Sequence, residues 1–237
     1  MLQATERMIH DGADIIDIGG ESTRPYALPV TIDEEIQRVI PAIKAIRQRH
    51  TIPISIDTTK AKVAELALDA GADIINDISA MRFDPDMAQL AGERRCPIII
   101  MHMQGSPTDM QIKPTYSDVL QETINFFKNR IQTLMEFGID RQRIIIDPGI
   151  GFGKTMTHNL AILNHTADYQ VLGCPIVIGH SRKSFLCSLL GQDLNDRDLP
   201  TAVISGLLAE RQVAILRVHD VKGTYQAVRL AQAIANA

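Results

Sequence analysis

One pattern constrains this chain more than any other: a short apolar run ending in a polar residue, then a turn, then a helix-patterned stretch. Its fullest copy is Ile144-Ile145-Ile146-Asp147-Pro148-Gly149-Ile150-Gly151-Phe152-Gly153-Lys154. Three β-branched residues run into an aspartate and a glycine-rich turn, as a buried parallel strand does when it delivers a carboxylate to a loop. The same grammar recurs at Ile15-Ile16-Asp17-Ile18-Gly19-Gly20, Ile54-Ser55-Ile56-Asp57-Thr58, Ile74-Ile75-Asn76-Asp77 and Ile215-Leu216-Arg217-Val218-His219-Asp220. Such repetition predicts an α/β fold of the (β/α)8 TIM-barrel class, which gathers its chemistry at the C-terminal ends of the strands. The 237 residues suit one such barrel, a single domain over 1–237, and no linker or charge block divides them.

Taken in order, strands are expected at 14–18, 53–57, 73–77, 97–102, 143–147, 175–179 and 215–219. Helices are expected over 2–10, 33–49, 60–70, a short stretch after Asp84-Pro85, 116–137, 157–164, 183–190, 200–211 and 223–235. That makes about seven strands and eight helical units, counting 183–190 and 200–211 after one strand as a single unit, with a helix first. A barrel of this class starts with a strand and needs eight, so strand 1 and its loop are expected to be missing from the sequence.

Composition narrows the partners. Net charge is −4, so nothing overall favours nucleic acid or an anionic membrane, and an anionic ligand must meet local arginines and lysines. No apolar run is long enough to span a bilayer. Cys96, Cys174 and Cys187 form no CxxC pair, which predicts buried free thiols and a reducing, cytoplasmic setting.

Asp57, Asn76, Asp147, Lys183 and Arg217 fall at or just past the ends of five expected strands. An aspartate there often only caps the next helix. Two carboxylates and an amide converging on one mouth suit more than capping: a flat, nitrogen-rich ring offers adjacent N–H donors to a carboxylate fork. Arg24, Arg182 or Lys183, Arg217 and His219 lie in loops on the same expected face, where arginine forks suit phosphate oxygens. Arg217 interrupts an apolar strand and requires a partner there. Arg47, Arg49, Arg94, Arg95 and Arg141, at helix ends, read as solvated surface arginines.

Other signals fail. Gly153-Lys154-Thr155 resembles the end of a P-loop, but Pro148 stands where that motif needs its first glycine. The seven histidines show no HxH or HExxH spacing for zinc. No GxSxG elbow occurs, so Ser181 reads as a loop hydroxyl rather than a nucleophile. Met101, His102 and Met103 read as core or pocket wall.

Taken together, Gly19-Gly20-Glu21-Ser22-Thr23-Arg24-Pro25, Ser55-Ile56-Asp57-Thr58, Ile75-Asn76-Asp77, Met101-His102-Met103-Gln104-Gly105, the 147–154 stretch, Ser181-Arg182-Lys183-Ser184-Phe185 and Arg217-Val218-His219-Asp220 resemble the bacterial dihydropteroate synthases. Each motif is weak alone; seven in the right order over nearly the whole chain are specific. The resemblance implies a homodimeric barrel of folate biosynthesis that joins 6-hydroxymethyl-7,8-dihydropterin pyrophosphate to 4-aminobenzoate, releasing pyrophosphate with Mg²⁺ present. It implies pterin contacts from Asp57, Asn76, Met101, Asp147 and Lys183. It assigns the pyrophosphate to Arg217, His219, Thr23 and Arg24, and aminobenzoate, where sulfonamide inhibitors compete, to Pro25, Phe152, Lys183 and Ser184. Asp57, Asp147, Lys183 and Arg217 are the expected catalytic set.

The chain departs from that family in three places. It has no match to the family's first strand ending Asn-x-Thr-x-Asp-Ser-Phe, whose asparagine serves the pyrophosphate or metal, so no metal ligand is identified. Tyr26 stands where a glycine is common, and His180 precedes Ser181-Arg182-Lys183. Two alternatives stay open on the sequence: a methyltetrahydrofolate-dependent methyltransferase of similar architecture, and a pterin-binding barrel without catalysis.

Overall fold

The structure, a computed structural model, describes residues 2–23, 27–191 and 197–237. Its elements are α1 (Leu2–His10), β1 (Ile16–Gly19), α2 (Ile32–Arg47), β2 (Ile54–Asp57), α3 (Ala61–Asp69), β3 (Ile74–Asp77), α4 (Asp86–Arg94) and β4 (Ile98–Met101). They continue with α5 (Val119–Glu136), β5 (Ile144–Asp147), α6 (Met156–Asn164), β6 (Val177–Ile178), α7 (Ser184–Leu190), α8 (Asp198–Ala209), β7 (Ile215–Leu216) and α9 (Val221–Ala235). Short 3-10 turns at Arg141–Arg143 and Thr166–Leu172 were not expected from the sequence.

Strands β1 to β5 form a parallel sheet in chain order, and β6 pairs with β7, also in parallel. A single bridge, Ile146 to Ile176, joins the two sheets. The result is a (β/α)8 barrel with seven strands among the described residues; no pairing there joins β7 back to β1. None of the described helices is long and apolar enough to cross a membrane. The three cysteines are free, Cys96 and Cys174 buried and Cys187 partly so.

Alternation along the strands makes two apolar layers. Ile54, Ile56, Ile75, Ile98, Ile100 and Ile146 share a cluster with Ile43, Val63, Phe127 and Leu134 of the surrounding helices. Each such buried isoleucine contributes about 1.5–3 kcal/mol of burial. The alternate positions Ile74, Ile99 and Val177, with Ile15, Ile145 and Ile215, form a separate cluster inside the barrel. This inner plug is the floor under everything that follows.

Helix ends follow capping chemistry. Thr31 makes a capping box with Glu34 and starts α2 one residue before Asp33. Asp118 accepts from the amides of Leu120 and Gln121, so α5 begins at Val119 rather than at Tyr116. Tyr116 instead donates its hydroxyl to the Gly153 carbonyl at 2.8 Å. Arg47 is no solvated arginine: it donates to Gly71 O and pairs with Asp73 at 2.6 Å, stitching α2 to the turn before β3.

Candidate functional site

The site stands one inward step above the plug. Two residues beyond Ile15, Ser55, Ile74, Ile99, Ile145, Val177 and Ile215, on the same side of each strand line, come Asp17, Asp57, Asn76, Met101, Asp147, Gly179 and Arg217. Asp57 and Asn76 are level on adjacent strands, and Met101 is level with Asp147. The expected set Asp57, Asn76, Met101, Asp147 and Arg217 is therefore brought together by strand parity. Asp17 joins it, and sequence reasoning missed it. Its signal was available, since Asp17 follows Ile15 as Asp147 follows Ile145.

Arg217 is the hub. Its Nε donates to Asp17 Oδ2 at 2.6 Å, and its Nη2 bonds both Asp17 and Asp57. The partner that this arginine requires is thus a pair of carboxylates on β1 and β2, reached across the unpaired edge between β7 and β1. Asn76 Nδ2 stands 3.5 Å from Asp17 Oδ1. Burial holds the Asp57 carboxyl above its usual range, opposing Arg217, with Asp17 and Asp77 pushing the same way as burial. Although burial works against its charge, Arg217 is raised above the usual guanidinium range by Asp17 and Asp57.

Asp147 accepts the Gly149 amide at 2.8 Å, and burial raises its carboxyl. Lys183, the residue preceding α7, sets its ammonium 4.0 Å from the centre of the Phe152 ring. Burial brings the Lys183 amine down to about 8, while Asp147 works to raise it. Gly151, at φ +80°, is crossed by the lysine stem; a β-carbon there would meet Lys183 Cδ at 3.1 Å. One wall is apolar and polarisable: Met101, Met103, Met110, Ile78 and Phe152 pack as one buried cluster.

A second buried lysine lies behind that wall. Lys154 Nζ is 3.0 Å from His102 Nδ1, 3.2 Å from His102 O and 3.0 Å from Phe152 O. Burial lowers its amine to about 7 and the His102 imidazole to about 2, which keeps that ring neutral. Lys154 is thus a loop pin and no phosphate-binding P-loop lysine.

His219 and Ser184 are exposed at the rim. The Ser181 hydroxyl lies 2.9 Å from His219 Nδ1 and accepts the His219 amide at 3.2 Å, so Ser181 orients the histidine. Burial, then Arg182 and Arg217, keep the His219 imidazole below its usual range. Thr23 lies in the loop after β1; Arg24, Pro25 and Tyr26 fall outside the described residues. No group of three or more His, Cys, Asp or Glu is placed to hold a metal among the described residues. Asp17 and Asp57 are both engaged by Arg217, so these residues do not make a magnesium cage.

A nitrogen-rich ring would find an acceptor fork, an amide and a thioether wall here, with two cations at one side. The comparisons agree with that chemistry. The family model described as "Pterin binding enzyme" matches residues 1–219. A dihydropteroate synthase of Synechocystis sp. is 42% identical over 234 residues, covering 98% of this chain and 81% of that protein. The crystal structure of the Yersinia pestis dihydropteroate synthase with a sulfonamide drug complex superposes at a TM-score of 0.97, with 38% identity, covering 100% of this chain and 86% of that one. The Xanthomonas albilineans dihydropteroate synthase with 4-aminobenzoic acid gives a TM-score of 0.94 at 38% identity, covering 100% and 84%. Site geometry, sequence and fold thus converge, and this chain belongs to the pterin-binding enzymes, among the dihydropteroate synthases.

Proposed function

We propose that this chain condenses 6-hydroxymethyl-7,8-dihydropterin pyrophosphate with 4-aminobenzoate, giving dihydropteroate and pyrophosphate. The observation that carries this reading is the inward tier of Asp17, Asp57, Asn76 and Asp147 beside Arg217 and Lys183, facing a methionine wall. Relatives at about 40% identity bear the synthase name, which sets the methyltransferase alternative aside.

Asp147, Asp57 and Asn76 bind the edge of the pterin, and Met101 packs on its face. The bond between the pterin methylene and the pyrophosphate oxygen breaks first, because the electron-rich ring stabilises the cation left behind. Buried carboxylates at Asp147 and Asp57 favour that positive charge. Arg217 keeps Nη1, which neither carboxylate uses, for the leaving pyrophosphate, and the neutral His219 imidazole, oriented by Ser181, donates beside it. The arylamine nitrogen of 4-aminobenzoate, held by Phe152, Lys183 and Ser184, then attacks the methylene carbon and gives up one proton to the released pyrophosphate; Pro25 is assigned to the same substrate by the resemblance alone. Positioning and fixed charge carry the rate, with no covalent nucleophile. Mg²⁺ is proposed to enter as the counterion of the pyrophosphate, since this ion keeps its waters and takes phosphate oxygens readily. Sulfonamide inhibitors are proposed to occupy the aminobenzoate place.

The assignment is tested by titrating a pterin ligand into Asp57→Asn and Lys183→Ala. Each is expected to bind at least about tenfold more weakly, about 1.4 kcal/mol, than the parent chain. Parental affinity in both would remove these residues from the pterin site.

We also propose that the homodimer forms through the outer face of α8 and α9. Leu199, Val203 and Leu207 recur every four residues on α8 and are 54–68% exposed, and Leu230 and Ile234 of α9 are 64% and 66% exposed.

A further inference from the structure

His180 is fully buried just behind the site and takes no part in the reaction as described. We infer that His180 is a positioning residue: through it, helix α8 splints the loop that carries Ser181, Arg182 and Lys183. This rests on the role proposed for Lys183 and deepens it.

The loop between β6 and α7 is short and has little structure of its own. His180 Nε2 lies 3.0 Å from Thr201 O and 3.0 Å from Ser205 Oγ. Ser205 already donates its hydroxyl proton to Thr201 O at 2.9 Å, so both atoms act as acceptors toward the ring. Nε2 therefore carries the proton. Nδ1 is buried without a hydrogen-bond partner.

Three further contacts run from the same loop to the start of α8. The Arg182 amide donates to Thr201 Oγ1 at 3.2 Å. The Arg182 guanidinium forks onto Asp198 at 2.6 and 2.8 Å. Arg197 Nη1 donates to the Arg182 carbonyl. They hold Arg182 at φ +56°, a left-handed conformation that a non-glycine residue keeps only where its surroundings impose it. The next residue is Lys183, whose stem crosses Gly151 and whose ammonium meets Phe152. The direction in which Lys183 leaves the strand is thus set from α8.

The helix does not need the histidine. Thr201 O keeps the Ser205 hydroxyl when the ring is removed, so the loss falls on the loop. A loosened loop must be re-ordered by its ligands, which raises KM more than it lowers kcat.

The test compares the parent with His180→Leu, which keeps volume and removes the donor, and His180→Gln, which returns an N–H near the Nε2 place. Thr201→Val is the second probe, removing the hydroxyl that accepts the Arg182 amide and also donates to the Arg197 carbonyl at 2.7 Å. Amide hydrogen exchange is read on the 179–184 segment and on α8, and steady-state kinetics are run with 4-aminobenzoate varied. The leucine and valine variants are expected to exchange the loop segment at least about tenfold faster, with α8 unchanged beyond its first turn. Their KM for 4-aminobenzoate should rise about tenfold with kcat within about twofold, and glutamine should restore most of both. Parental loop exchange and KM in both variants, or a lower melting temperature alone, would overturn the inference. If the parent itself does not turn over, the synthase reading fails and loop exchange alone decides this one. Should the leucine variant not fold, the valine variant decides.

Discussion

Lys154 shows what one buried charge does in this barrel. Its ammonium is surrounded by two carbonyl oxygens and a neutral imidazole, and it is only 3% exposed. Burial costs the charged form more than Asp147 returns, and the amine is lowered from 10.5 to about 7. The unfolded chain therefore holds a proton that the folded chain has released between pH 7 and about 10, so stability rises with pH across that window. Urea denaturation of the parent between pH 7 and pH 10 should show that rise, on the order of 2–4 kcal/mol relative to Lys154→Met. A parent and a methionine variant with the same slope would contradict the assignment. The lysine was visible in the sequence only as a failed P-loop, because what it touches comes from β4 and its loop, fifty residues away.

At the scale of elements, the barrel's chemistry is set by parity. A strand four residues long offers one inward position above the plug, and Asp57, Asn76, Met101 and Asp147 each occupy it at or next to the strand end. That is why Asp57, Asn76, Asp147 and Arg217 were legible from apolar runs ending in polar ones, while Met101 entered only through the family resemblance. Asp17 was passed over because an apolar residue, Ile18, and then Gly19 follow it, so its strand does not end on the carboxylate. The α8 splint was illegible because hydrogen bonds from Thr201 and Ser205 to a loop twenty residues earlier leave no periodic trace. The glycines of the 147–154 loop were legible as a turn but not as a tight approach. Gly149 has φ +73°, and a β-carbon there would lie 2.0 Å from the His102 carbonyl oxygen. Gly149→Ala is expected to cost at least about 2 kcal/mol in urea unfolding with an unchanged m value. A loss under about 0.5 kcal/mol would show that the β4 and β5 loops are not wedged together.

Across the whole molecule, the open side of the strand ring is crossed by charge. Arg217 on the β7 line reaches Asp17 on β1 and Asp57 on β2, so on the proposed assignment the pyrophosphate grip and the pterin fork share one guanidinium. That assignment couples bond breaking at the pyrophosphate to the carboxylates proposed to hold the ring. The opposite concern, assembly, is proposed to rest on the exposed apolar stripe of α8 and α9. Val203→Glu with Leu230→Glu should convert a dimer into a monomer in sedimentation velocity, and a dimer unchanged by both charges would move the interface elsewhere. Because α8 also contacts the Lys183 loop, the proposed interface and the site share one helix. The most direct test of the synthase reading is pyrophosphate release from 6-hydroxymethyl-7,8-dihydropterin pyrophosphate with Mg²⁺, measured with and without 4-aminobenzoate. Release that requires 4-aminobenzoate and disappears in Asp147→Asn is the predicted result. Pterin binding with no aminobenzoate-dependent release would contradict it and leave a binding barrel without catalysis.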